Sequence, residues 1–151
     1  MEKYFLHRIQ KENGNFSKGV EVHDTLDSAI LSFHGRMKLA GVTSGLTFMS
    51  CKIEDGNGNV LPDYNEAWKS EDGANTFFMH YIRFDGETFT KNIDICESFD
   101  AAKASRHAQM EYGYNNPSHS TVSFVSCMIT DMGGTIYLPE TWDKLTPELN
   151  E

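Results

Sequence analysis

The stretch "FMSCKIEDGNG" at residues 48–58 returns as "FVSCMITDMGG" at residues 124–134. Taken singly, either is a half-buried strand running into a turn; taken together they report an internal duplication. Working outward, "YFLHRIQKENGNFSKGVEVHDTLDSAILSFHGRM" (4–37) aligns without a gap on "FFMHYIRFDGETFTKNIDICESFDAAKASRHAQM" (77–110). Phe5/Phe78, His7/His80, Ile9/Ile82, Phe16/Phe89, Lys18/Lys91, Asp27/Asp100, Ala29/Ala102, Ser32/Ser105, His34/His107 and Met37/Met110 coincide. A three-residue insertion in the second copy follows, after which Phe48/Phe124, Ser50/Ser126, Cys51/Cys127, Ile53/Ile129 and Asp55/Asp131 pair, and the copies close on "EAW" (66–68) and "ETW" (140–142). Because the match holds through strands, turns and a helix in the same order, it defines the repeat unit.

Each copy reads as hairpin, helix, hairpin. "YFLHRI" and "FFMHYI" carry the aromatic and branched side chains that favour strands, and the turn formers of "KENGNF" and "FDGETF" lead to second strands over 16–22 and 89–95. Thr25 and Ser98 are N-cap candidates, since a hydroxyl there accepts from a free first-turn amide, and helices are expected over 26–40 and 99–112. Leu26, Ala29, Ile30, Phe33, Met37 and Ala40 form an apolar stripe at helical spacing. In the third strands Met49, Cys51 and Ile53 alternate with Phe48, Ser50 and Lys52, and Val125, Cys127 and Ile129 with Phe124, Ser126 and Met128, after which the turns "DGNGN" and "DMGG" lead to short fourth strands. The expected fold is α+β: two tandem ββαββ repeats forming a pseudo-two-fold antiparallel sheet with helices packed on it. Repeat 1 spans 1–70, a linker 71–76, repeat 2 77–144 and a frayed tail 145–151. A unit of about 75 residues sits near the lower limit for an independent core, so one shared globular unit is expected.

Composition narrows the function classes. A net charge of −9 opposes non-specific attachment to nucleic acid or anionic lipid, both of which want clustered Lys and Arg, and fits a soluble acidic surface or a basic partner. No apolar run approaches the roughly 20 residues that span a bilayer, and "MEKYFLHRIQ" lacks the apolar core of a signal peptide, so the cytosol is the expected location. Three cysteines without CxxC spacing argue for reduced thiols rather than a disulfide framework or a zinc site.

Candidate residues are few. His7 shares a strand face with Phe5 and Ile9, and His34 lies at the margin of the helical stripe, so His7/His34 and His80/His107 can meet across a sheet–helix interface. Only Asp27/Asp100 is offered beside them, on another helix flank, and packed structural histidines are the plainer reading than a metal site. Cys51 and Cys127 lie on the apolar face, as packing thiols rather than nucleophiles. Asp55 and Asp131 open turns, where carboxylates cap backbone amides. No phosphate-binding loop is present, and "DGNGNV" lacks the terminal glutamate of a calcium loop. No catalytic residue, metal or cofactor is therefore assigned. Arg106 replaces Phe33 in the second helix, which reads either as an exposed helix edge, the plainer case, or as a guanidinium meeting a carboxylate or a ligand. The segment "EYGYNNPSHSTV" (111–122), which contains the insertion, sets Tyr112 and Tyr114 beside Asn115, Asn116 and His119; stacking faces next to adaptable hydrogen-bonding groups suit binding, although the same residues also make good turns. Tyr112, Tyr114, Asn115, Asn116, His119 and Arg106 are the candidate partner-binding residues.

The run through "TLDSAILSFHGRM" and "SFDAAKASRHAQMEYGYNNPSHSTVSFVSCMITDMGGTI" resembles small proteins encoded by bacteriophages and prophages of gut Firmicutes, in which a tyrosine-rich loop follows the helix and precedes a strand ending in an Asp-x-Gly or Asn-Gly turn. The second copy resembles them more closely; the first departs at "KLAGVTSGLTF", where the tyrosine–asparagine loop is missing. The resemblance implies a phage origin and brings no catalytic residues. The expectation is a non-enzymatic binding protein with a counter-defence role in the host cytosol. Its partner would be a host immune effector such as a CRISPR nuclease, or a nucleotide second messenger, with neither nucleic acid nor membrane bound directly and a homo-oligomer left open. The alternative is a virion or assembly component.

Overall fold

Apolar alternation, turn formers and hydroxyl caps shape each repeat, and the two repeats fold alike. The computed structural model describes residues 1–71, 75–115 and 122–144; part of the linker and the tail 145–151 lie outside the described residues. Repeat 1 consists of β1 (Tyr4–Glu12), β2 (Asn15–His23), α1 (Leu26–Met37), β3 (Leu46–Asp55) and β4 (Val60–Lys69). Repeat 2 consists of β5 (Phe77–Phe84), β6 (Phe89–Cys96), α2 (Phe99–Tyr114), β7 (Phe124–Asp131) and β8 (Ile136–Asp143). Each forms a four-stranded antiparallel sheet, in the orders β2-β1-β3-β4 and β6-β5-β7-β8.

Local chemistry explains the joints. Asn13 and Gly14 both take positive φ, 52° and 83°, between paired Glu12 and Asn15, the two-residue turn whose twist matches that of a hairpin. Thr25 Oγ1 accepts from Ser28 N at 3.2 Å and Ser98 Oγ from Ala101 N at 3.0 Å, so both expected N-caps form. α1 ends at Met37 rather than at 40, because Leu39 N donates to Arg36 O in a tightened last turn and Gly41 follows at φ +80°. α2 runs to Tyr114, past the expected 112. The fourth strands, 10 and 8 residues long, exceed the short segments expected.

The faces of the sheets decide the architecture. One face of the first sheet, with Leu6, Met49, Cys51 and Ile53, packs on Ala29, Phe33 and Met37 of α1. Met79, Val125, Cys127 and Ile129 pack likewise on Ala102 and Met110 of α2. A helix covers only one face, and the opposite faces are also apolar. Phe5, Ile9, Val20 and Phe48 therefore meet Phe78, Ile82, Ile93 and Phe124 in one core between the sheets. The result is four layers, helix, sheet, sheet, helix, and the pseudo-two-fold axis passes between two sheets rather than through one continuous sheet.

Reciprocal contacts confirm that axis. The ring centroids of Phe5 and Phe89 lie 5.6 Å apart and those of the matched pair Phe78 and Phe16 5.7 Å. Phe5 stacks with Phe124 at 6.1 Å and Phe78 with Phe48 at 5.7 Å. The β3–β4 turn of repeat 1 presses Gly58 on Thr141, and the β7–β8 turn of repeat 2 presses Gly134 on Ala67.

Gly58 stands at φ +88°, and a Cβ there would lie 1.9 Å from Thr141 Oγ1, whereas Gly14 at φ +83° has open space around it. Gly58→Ala is expected to destabilise by more than about 2 kcal/mol and Gly14→Ala by about 1 kcal/mol, the cost of a left-handed alanine alone, as read from urea unfolding midpoints.

Candidate functional site

Among the described residues, chemically capable side chains gather inside the core and at the end of α2. His7 and His80 project from β1 and β5 into the space between the sheets, 2% and 1% exposed. Their Nδ1 atoms face each other at 3.1 Å. His7 Nε2 lies 2.7 Å from Glu54 Oε1, and His80 Nε2 2.8 Å from Thr130 Oγ1. Ser126 Oγ donates to Glu54 Oε2 at 2.5 Å and is itself 3.2 Å from Thr141 Oγ1. A continuous polar chain thus crosses from one repeat to the other inside an aromatic core. The paired histidines are packed, hydrogen-bonded core residues. They do not meet His34 and His107, which are exposed on the helices, because each helix covers the strand face opposite to the histidine.

Sequence reasoning missed the charges in this core. Ser50, Lys52 and Glu54 alternate with apolar residues along β3, the usual signature of a solvent-facing edge, yet all three are buried. The signals available were Phe48 on the same face and the histidine repeated at one strand position. Lys52 Nζ donates to Asn65 Oδ1 at 2.6 Å and to the Gly134 carbonyl of repeat 2 at 3.0 Å. Burial pushes its pKa down to about 8, against the opposing pull of the Asp131 carboxylate. At the matched positions repeat 2 has uncharged Met128 and Thr130, so the charges come from repeat 1 alone and bond to groups of both repeats.

The thiols are not placed for chemistry. Cys51, Cys96 and Cys127 are all free and buried, and burial pushes Cys51 and Cys127 up to about 12, which suppresses the nucleophilic thiolate. Asp55 Oδ1 accepts from the amides of Asn57 and Asn59, and Asp131 Oδ1 from those of Gly133 and Thr135, so both carboxylates are turn caps as expected. Among the described residues no three His, Cys, Asp or Glu side chains converge to hold a metal ion.

Arg106 corrects the expectation of an exposed helix edge. It is only 9% exposed, with Nε donating to the Leu138 carbonyl at 2.8 Å and Nη2 to Glu140 Oε1 at 2.5 Å. Leu138 has φ +51° where the β7–β8 register shifts, and the guanidinium satisfies the carbonyl turned out of the ladder. Arg106 therefore fastens β8 to α2, and its guanidinium is turned inward rather than toward a partner.

At the end of α2 the structure brings together residues that the sequence reading only partly named. The Arg83 guanidinium stands 4.0 Å from the ring centre of Tyr112 and 6.0 Å from that of Tyr81, and Arg83 Nη1 donates to Gln109 Oε1 at 3.1 Å. Tyr112 is 38% exposed and Tyr114 58%, and Asn115 is exposed at the helix cap. Tyr112 divides two open depressions, one bordered by Gln109 and Glu111 and another of about 180 Å³ bordered by Arg83, Asp85, Thr88 and Thr90. Asn116 and His119 lie outside the described residues. Repeat 1 has Arg8, Gln10 and Leu39 where repeat 2 has Tyr81, Arg83 and Tyr112, so the aromatic–guanidinium platform belongs to the second copy alone. No protein family, curated protein or solved structure matches the chain.

The buried lysine and thiols set the alkaline behaviour of the fold. Lys52, depressed from 10.5 to about 8 in the folded chain, is protonated in the unfolded state but not in the folded one between those values, so stability rises with pH from about 8. Cys51 and Cys127, raised from 9.0 to about 12, act oppositely and remove stability above about 9. Stability is expected to climb from pH 8 to a maximum near pH 9 and then fall, and Lys52→Met should abolish the climb while leaving the fall; urea unfolding at stepped pH measures both.

Proposed function

We propose that the protein is a non-catalytic binding protein of bacteriophage origin that counters host immunity by occupying an immune effector protein, a CRISPR nuclease being one such target. The observation that carries this reading is the division of its polar groups. The side chains with catalytic potential, His7, His80, Glu54 and the thiols, are buried, with the histidines and the carboxylate bonded to one another, while Tyr112, Tyr114 and Asn115 stand outward beside Arg83. Exposed tyrosines at a helix end, with the half-buried guanidinium of Arg83 from β5 against one of them, are the residue types that anchor protein interfaces. The resemblance to phage and prophage proteins supports the setting, and the net charge of −9 favours a basic partner surface. Exposed Glu97, Asp100 and Glu111 flank the same helix and add to that field.

A protein partner fits better than a nucleotide second messenger. Small ligands favour concave sites that enclose most of their surface, whereas the two depressions beside Tyr112, of about 350 and 180 Å³, are open to solvent and share its ring as a border. A second reading, a virion or assembly component, draws on the self-complementary pairing of the duplicated halves. Solution mass separates the two: a monomer or dimer suits an inhibitor, rings or sheets suit an assembly part.

Affinity capture from infected host lysate with wild type and with the double variant Tyr112→Ala/Tyr114→Ala tests the surface. The variant is expected to unfold as cooperatively as wild type while losing about 1–3 kcal/mol of capture affinity, and capture by wild type should weaken as salt rises past about 0.15 M, where the screening length is roughly 8 Å. Undiminished capture by the double variant would remove the end of α2 from consideration.

A further inference from the structure

We infer that closure between the two repeats is proton-gated: the facing Nδ1 atoms of His7 and His80 let the closed interface hold one added proton between the two rings, and a second proton forces the sheets apart.

Hydrogen-bond bookkeeping along the chain Glu54–His7–His80–Thr130 leads to this result. With both rings neutral, His7 Nε2–H donates to the Glu54 carboxylate, His80 Nδ1–H donates to the bare Nδ1 of His7, and the Thr130 hydroxyl donates to His80 Nε2. One added proton is absorbed by reversing the chain. His7 becomes an imidazolium paired with Glu54, its Nδ1–H donates to His80 Nδ1, and His80 Nε2–H donates to Thr130 Oγ1. Every bond survives. The rings have no such place for a second proton, because it sets two N–H donors and two cations against each other across 3.1 Å with no acceptor between them.

The surroundings hold that limit in place. From β3, Glu54 is the carboxylate that meets the pair, and its two oxygens are already engaged by His7 and Ser126, while Lys52 from the same strand adds positive charge. β7 contributes Ser126, Met128 and Thr130, and β8 contributes Thr141, all uncharged. Asp131 acts on Lys52 beneath the β7–β8 turn, and β2 and β6 set Val20 and Ile93 opposite the two histidines. Burial, then the neighbouring His7 and Lys52, hold His80 well below the ordinary histidine value of 6.5. A refused proton in the closed form, accepted once the sheets part, makes opening more favourable as pH falls below that value. The carboxylate of Glu21, held at about 2, is already ionised through this range and adds no slope of its own.

Native-state hydrogen exchange of the β1 and β5 amides reads the opening equilibrium in the intact chain, because a repeat parted from its partner is too small to hold its own sheet and releases these amides from the neighbouring strands. One refused proton, taken up in the open form at the ordinary histidine value of 6.5, increases the opening constant by roughly sixteen-fold between pH 6.5 and 5.0, so protection factors in wild type are expected to fall by about that ratio, and those of His80→Gln, which keeps a polar side chain without a titrating ring, are expected to stay level. Equal slopes in the two proteins, or a level wild type, would overturn the inference. Should His80→Gln fail to fold, nitrogen-15 NMR of the wild-type imidazoles decides the matter: uptake of at most one proton by the two buried rings before opening sustains the inference, and ordinary titration of both rings in the closed protein overturns it.

Discussion

The interaction on which this structure depends is the contact between the inner faces of its two sheets. Each repeat covers one sheet face with its own helix and leaves the other, with Phe5 and Phe48 or Phe78 and Phe124, without cover of its own. A bare face of this kind cannot remain in water, and a unit of this length lacks the volume to fold back over it. The matched face of the second copy is the cover at hand, and the reciprocal distances of the four phenylalanine contacts show that each copy does for the other what it needs for itself. The β3–β4 and β7–β8 turns complete the clasp, with Gly58 and Gly134 as the residues that let backbone approach the opposite strand.

Within this symmetric frame the polar groups are not symmetric. Lys52 and Glu54 come from repeat 1, and the Gly134 carbonyl and Ser126 hydroxyl that receive them come from repeat 2. Two first repeats facing each other would bury two lysines and two glutamates in one core, where repeat 2 places neutral Met128 and Thr130 instead, and each buried ion costs several kcal/mol in desolvation. The phenylalanines therefore drive association, and the charges specify that repeat 1 pairs with repeat 2. The histidine pair joins both roles, since His7 is held by Glu54 and His80 by Thr130.

Divergence between the copies also separates stability from recognition. In the core, the pairs Phe5/Phe78, His7/His80 and Cys51/Cys127 occupy matched places, and at the turns Asp55 and Asp131 cap matched amides. Outside it the copies differ. Repeat 1 surrounds Glu21 with Arg36, His23 and Ser32, while repeat 2 turns Arg83 onto Tyr112 at the end of its helix. A duplicated scaffold whose core is held fixed leaves one copy free to change its surface, and the proposed binding role rests on that second surface.

Much of this was legible in the sequence. The duplication fixed the element order, because period-2 alternation, the Asn-Gly turn and the hydroxyl caps at Thr25 and Ser98 are local signals that act within a few residues of where they are written. Burial of Cys51 and Cys127 followed from the same alternation, and so did the amide caps of Asp55 and Asp131. Local signals could not say which apolar face meets what. The strand pattern shows that His7 lies with Phe5, but whether that face meets a helix or a second sheet depends on contacts between residues more than seventy positions apart, as His7 and His80 are. For that reason the meeting of His34 with His7 that the pattern allowed does not occur, Arg106 follows the second of its two readings, a guanidinium meeting the carboxylate of Glu140, rather than the exposed edge, and the burial of Lys52 and Glu54 could not be read. The sequence by itself determined what each repeat is; only the tertiary structure decided how the repeats cover each other, because a polar side chain on an alternating strand is exposed or buried according to what packs on its face, and that partner is supplied by the other half of the chain.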